Sequence, residues 1–162
     1  MTETETIKPS IGVGCVVYDH EGRILLVRRA KPPQAGFWHF PGGRLEAGET
    51  LAECCQREAR EETGLDVSPL SIVAVADRSL EGFHYIIVDF LAKLVSPAPA
   101  HPKPGSDAAD ARWMHPEQLV SEPLVTGLLE VIQASRETIA PDQSSGLVAS
   151  RHPWLFVPEN TK

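Results

Sequence analysis

The segment Arg57-Glu58-Ala59-Arg60-Glu61-Glu62 concentrates charge in a way that needs explaining. On a helix, at about 100° per residue, Glu58, Glu61 and Glu62 share an arc of roughly 100°. As like-charged i,i+3 and i,i+4 neighbours they cost about 0.2–0.5 kcal/mol per pair, and they crowd a helix end where the dipole already disfavours anions. Arg57 reaches Glu53 and Glu61 at i±4, and Arg60 lies on the far side, so neither neutralises the whole cluster. Two readings stand: a solvated acidic face, or a seat for a divalent cation. Oxygen donors without His or Cys favour magnesium, or manganese, over zinc, and magnesium commonly binds substrate phosphates as well. The preceding run, Phe40-Pro41-Gly42-Gly43-Arg44-Leu45-Glu46-Ala47-Gly48-Glu49, has three glycines that let a loop fold closely against a helix start. Its carbonyls could complete a metal shell.

Several elements must hold these groups in place. Thr50 to Thr63 reads as a helix, because Thr50-Leu51-Ala52-Glu53 has capping-box spacing and Gly64 sits where a helix-ending glycine belongs. Ile11–Tyr18 and Arg23–Arg29 are apolar, β-branched runs joined by Asp19-His20-Glu21-Gly22, which predicts a β-hairpin. Lys31 to Gly36 is a breaker-rich loop, followed by a short aromatic strand, Phe37 to Phe40, that ends in a glycine turn. Ile72–Ala76, Tyr85–Leu94 and Ala111–Met114 read as strands. Ser96–Gly105, with four prolines, reads as an extended surface loop, and Pro123 to about Glu137 as a second helix. This order predicts an α/β or α+β layered domain.

A chain of 162 residues, 42% hydrophobic and 23% charged, suits one domain with a sizeable core. Its formal charge of −7 supplies no field for nucleic acid or anionic lipid, so neither is an expected partner and any phosphate must be held locally. The first residues lack the cationic end and apolar stretch of a signal peptide, and no run approaches a membrane span, which gives a cytoplasmic expectation. Cys15, Cys54 and Cys55 read as reduced, buried thiols.

Gly43, five residues, Glu49, seven residues, then Arg57-Glu58-Ala59-Arg60-Glu61-Glu62-Thr63-Gly64-Leu65 resembles the signature of the Nudix hydrolases at seven fixed positions. With glycine and glutamate each near 7% of residues, a chance match is on the order of 10⁻⁸ per window. Ala59 departs from the larger aliphatic residue more usual there, which alters packing and no ligand. The resemblance runs from about Ile11 to Glu137. It divides the chain into an extension (1–10), a Nudix domain (11–138) and a tail (139–162), whose apolar island Trp154-Leu155-Phe156-Val157 is expected to dock on this domain or on a partner subunit in a homodimer.

The resemblance implies a mixed β-sheet sandwiched between helices and hydrolysis of a nucleoside diphosphate linked to another moiety. It makes Glu58, Glu61 and Glu62 the metal carboxylates and the Gly42 carbonyl a backbone ligand, with Arg57 and Glu49 orienting helix and loop. Asp107, or less favourably Asp110, would supply a further acid before Trp113. Glu58 and Glu62 are given chiefly to the metal, and Glu61 or Asp107 to the general base. Guanidinium forks match phosphate oxygens, so Arg28 and Arg29 are candidate phosphate ligands, with surface arginines as the alternative. Trp38, Phe83 and Tyr85 could stack on a base or belong to the core, and His39 could be catalytic or a pocket-wall residue. ADP-ribose or a related sugar nucleotide is the preferred substrate, although position 81 is Glu81, where proline would favour ADP-ribose. The alternatives are an oxidised nucleoside triphosphate such as 8-oxo-dGTP and a non-catalytic nucleotide-sensing module.

Overall fold

The computed structural model describes residues 6–105, 107–139 and 155–157. Its spine is β1 (Ser10–Val17), in which alternate side chains enter different cores. Val13, Cys15 and Val17 face one helix, while Val16 packs with Ile24, Leu26 and Phe40 on the opposite side. Burial on both faces explains why this strand is apolar throughout instead of alternating with polar residues.

β1 runs parallel to β6 (Phe83–Leu94) and antiparallel to β4 (Gly42–Arg44). β6 returns along β5 (Val67–Leu80), and with β8 (Leu155–Val157) these strands make a mixed sheet of order β4-β1-β6-β5-β8. β2 (Ile24–Arg29) lies between β3 (Trp38–His39) and β7 (Ala108–Met114) in a second, antiparallel sheet. The mixed sheet and α+β class agree with the sequence, and the second sheet is an addition to it.

Several expectations need correction. β1 and β2 do not form a hairpin: only the Tyr18–Ile24 bridge joins them, and the strands diverge into different sheets. Asp19 explains the turn, since its Oδ1 accepts from the Glu21 and Arg23 amides and its Oδ2 from Arg23 Nε. Gly42 and Gly43 do not turn the chain but form β4, because only glycine permits the closeness to β1. A Cβ on Gly42 would lie 2.3 Å from the Val13 carbonyl oxygen. The second helix, α2 (Leu128–Ile139), begins later than expected. Residues 123–125 are taken up by Trp38, whose amide donates to Pro123 O (2.8 Å) and whose carbonyl accepts from the Val125 amide (3.0 Å). A 3-10 turn, Pro116–Ser121, was not foreseen. Trp154, the start of the apolar island, and residues 140–153 lie outside the described residues.

The first helix, α1 (Leu51–Thr63), matches its sequence signals. Thr50 Oγ1 accepts from the Glu53 amide (3.1 Å) and Glu53 Oε2 accepts from the Thr50 amide (2.7 Å), closing the capping box. Gly64 takes the left-handed conformation at φ 73°. The Pro-rich segment then lies against the helix end: Lys103 N–H donates to Thr63 O and Gly105 N–H to Glu62 O. Two carbonyls that the helix leaves unpaired are thereby satisfied. Ala59, fully buried with Cys54 and Cys55, lets α1 sit close to β1. All three cysteines are buried free thiols, as expected. Replacing Thr50 by Ala should lower stability by about 1 kcal/mol in denaturant unfolding without changing the midpoint slope, because it removes one cap hydrogen bond. Among the described residues no helix is long and apolar enough to cross a membrane.

Candidate active site

A cavity of about 700 Å³ opens between the two sheets and reaches from α1 to α2. Glu58, Glu62, Gly42, Gly43 and Arg29 line one end; Asp89, Arg78, Ala76, Ile87, Leu128 and Val131 line the other.

At the α1 end, helix periodicity and a glycine strand work together. Glu62 Oε2 accepts from the Gly42 amide at 3.1 Å. The Glu58 carboxylate lies over Gly43, where an added Cβ would come within 2.5 Å of it. Burial pushes the Glu62 carboxyl up to about 8, with the Gly42 hydrogen bond opposing and Glu58 adding to the rise. Burial likewise raises Glu58, against the pull of Arg57. Glu61 departs from this pair: its side chain is 60% exposed and stands outside the cavity lining, beside Arg57 and Arg60. An arc of 100° is wide enough to put one of three carboxylates over the edge of a cavity.

Arg57 is the hub of the box. Its Nε and Nη2 donate to Glu49 (2.9 and 2.7 Å), Nη1 donates to Glu58 (2.7 Å) and Glu61 (3.2 Å), and Nη2 also reaches Arg44 O (3.1 Å). The Arg57 fork holds the Glu49 carboxyl down at about 2, aided by the Glu46 amide, and Arg57 itself is raised by Glu49 and Glu58.

Among the other candidates, Arg29 is half-buried on the cavity wall and donates through Nε to Pro33 O, whereas Arg28 is exposed and off the wall. Tyr85 lines the cavity, stacked on Phe83 at 6.0 Å, with the Arg44 guanidinium 5.9 Å from its ring. His39 is also on the wall; burial, then Arg29, depresses it to about 3, so it is neutral at ordinary pH. Trp38 belongs to the core: it is 2% exposed, with Nε1 donating to Glu122 (3.1 Å) and Arg112 over its ring. Asp107 reaches the cavity mouth and pairs with Lys31 at 2.9 Å, although both are well exposed. Asp110 pairs instead with Arg112.

Sequence reasoning missed Lys31, Arg44, Arg78 and Asp89. For Asp89 a signal existed: it is the one acid inside the apolar run Tyr85–Leu94.

Among the described residues no three His, Cys, Asp or Glu side chains converge closely enough to hold a metal by themselves. The donor set nevertheless fits a hard cation. Two carboxylates raised by burial face a bare glycine strand, so the side-chain donors nearest that strand are oxygens.

Comparison with known proteins agrees with this geometry. A family model described as NUDIX domain matches residues 8–134. The 8-oxo-dGDP phosphatase NUDT18 of Danio rerio is 34% identical over 76 residues, 47% of this chain and 23% of that protein. An ADP-ribose pyrophosphatase of Methanocaldococcus jannaschii is 33% identical over 110 residues, 66% of this chain and 62% of that protein. The alignments thus span about a quarter to three fifths of those relatives. A solved NUDIX hydrolase from Nitrosomonas europaea superposes with a TM-score of 0.69 at 25% identity, covering 80% of this chain and 89% of that one.

Proposed function

The chain belongs to the NUDIX family, and from that premise we propose that it hydrolyses the diphosphate linkage of a nucleoside diphosphate derivative with a divalent cation, magnesium or manganese. One observation carries this reading: a single cavity of about 700 Å³ joins the partly buried Glu58 and Glu62 pair to the half-buried Arg29 and to a far end lined by Ile87, Leu128, Val131 and Asp89.

Glu58, Glu62 and the backbone of Gly42 would hold the cation. When bound, it supplies charge neutralisation for the diphosphate and acidifies the attacking water. Arg29, fixed by Pro33 O, binds phosphate oxygens, and Lys31 with Asp107 stands at the mouth. Asp107, exposed beside Lys31, or Glu61, on the outer edge, takes the water proton. His39 is neutral and contributes wall, not charge. Arg57 and Glu49 act as positioning residues, since both work through Glu58 and the loop.

Two substrate readings follow. ADP-ribose is supported by the relative of that name, and oxidised guanine nucleotides by the 8-oxo-dGDP phosphatase relative. A panel of ADP-ribose, 8-oxo-dGDP and 8-oxo-dGTP, with and without MgCl2 and with products identified, tests both. AMP with ribose 5-phosphate supports the first, and an 8-oxo-dGMP product the second. Nucleotide binding with no turnover in MgCl2, or in MnCl2 put in its place, would overturn the enzyme reading in favour of a sensor.

A further inference from the structure

We propose that Asp89 is the base-reading residue of the cavity, and that it selects a nucleobase presenting two adjacent N–H donors, as the N1–H and N2–H edge of guanine does. The proposal rests on the nucleotide reading of the cavity and names the part of the substrate that the box does not touch.

Asp89 is only 5% exposed and lies in the middle of β6, a strand otherwise apolar on the residues around it. Among the described residues no hydrogen bond reaches its carboxylate, and no fully buried side-chain polar atom is left without a partner. Its oxygens therefore open onto the cavity that it lines. Burial raises the Asp89 carboxyl to about 7 against the pull of Arg78, so above neutral pH it stands as an ionised acceptor whose lack of a hydrogen-bond partner is costly unless something fills that role.

The floor around it is shaped for a flat ring. Register places Gly12 beside Ile87 and Gly14 beside Asp89, so one face of β1 offers bare backbone where neighbouring strands carry side chains. At Gly14 that bareness is required: a Cβ would come within 2.0 Å of Asp89 Oδ1. Ala76, paired with Ile87 on the next strand, keeps the floor low, and Leu128 and Val131 of α2 face it from above. A slot between apolar walls that ends at a carboxylate is the shape that recognises a heterocycle by stacking on its faces and bonding to its edge.

Position along the sheet fits as well. Gly42, Gly14 and Asp89 are register partners on three consecutive strands, β4, β1 and β6. Two strand spacings put Asp89 about 10 Å from the glycine that contacts Glu62, which leaves room for a sugar between a base at one end and phosphates at the other. Guanine presents two parallel donors to the two oxygens of a carboxylate. Adenine presents one amino group beside a ring acceptor, whose lone pair would face an anion.

Calorimetric binding of GMP, IMP and AMP to the wild-type protein, with and without MgCl2, tests this without requiring turnover. The expected order is GMP, then IMP, which lacks the amino group, then AMP, with GMP at least about tenfold tighter than AMP. Asp89→Asn should erase that order, weakening GMP on the order of tenfold or more while moving AMP less than about threefold. Equal binding of all three by wild type overturns the proposal, as does tightest binding of AMP. An Asp89→Asn variant that weakens all three in parallel also overturns it, because a purely structural acid would act in that way. Parallel hydrolysis assays keep the two ideas apart. GMP preference without turnover of any nucleotide sinks the hydrolase reading and spares this one; turnover indifferent to the base does the reverse.

Discussion

Glu62→Gln is expected to stop turnover while making the metal-free protein more stable above neutral pH. The rate should fall by about three orders of magnitude, equivalent to about 4 kcal/mol, because the variant keeps the shape of the cavity wall and its Gly42 contact but loses the charge that would hold a cation. The stability gain follows from the same burial. In the folded chain Glu62 titrates at about 8, against 4.5 for an unperturbed glutamate. Between those values the unfolded chain gives up a proton that the folded chain keeps, so wild-type stability declines as pH rises through this window. Glutamine has no such proton. The variant's advantage is therefore absent below about pH 4.5, grows through neutrality and levels off above pH 8, where it should reach about 2–3 kcal/mol after allowance for partial solvent access. Chemical denaturation at pH 5 and pH 8.5 in chelator measures it. Excess MgCl2 should then raise the wild-type melting temperature at pH 8 and leave the variant unmoved, since only the wild type gains a ligand of the native state. A variant with near-native rate, or one less stable than wild type at pH 8.5, removes Glu62 from the metal and the cavity alike.

The box was legible in the sequence because it is local. A capping box, a helix of thirteen residues and a C-terminal glycine are all decided by residues within one turn of each other, and α1 formed where those signals lay. What failed was long-range. The Asp19–Gly22 turn looks the same whether its flanking strands pair with each other or diverge, and here β1 is claimed by β6 and β4, and β2 by β3 and β7. Trp38 illustrates the limit for site residues: an aromatic on a short strand suits a core role or, less often, a base-stacking one, and it is the contact with Glu122, 84 positions away, that accompanies its burial in the core. Glu61 shows a third kind of ambiguity, since helix geometry gives an arc and not the edge of the cavity that cuts it.

Arg57→Ala should damage both rate and stability, through one lost guanidinium that no neighbour can replace. Six hydrogen bonds disappear, to both oxygens of Glu49, to Glu58, to Glu61, to the Arg44 carbonyl and to Cys54 Sγ. Arg57 is 23% exposed on its side chain, with Glu49 at 14% and Glu58 at 13%, so the orphaned carboxylates are only partly rescued by water. A loss on the order of 2 kcal/mol at pH 7 is expected. The turnover number should fall by about ten- to hundredfold with a smaller change in KM, the mark of a residue that orients Glu58 without touching substrate. Lysine should restore little, because a point charge cannot reproduce the fork that grips Glu49 while reaching Glu58. The acid limb supplies a readout that simple loss of packing would not move. With Arg57 in place, Glu49 titrates at about 2 when folded and near 4.5 when unfolded, so its contribution is present above pH 4.5 and is lost as pH falls toward 2. Without Arg57 the two values converge and that dependence flattens. If instead the pH profiles of wild type and variant run parallel between pH 4.5 and 2, Arg57 is not what holds Glu49, and the loop it anchors must be fixed by the β1 to β4 pairing alone.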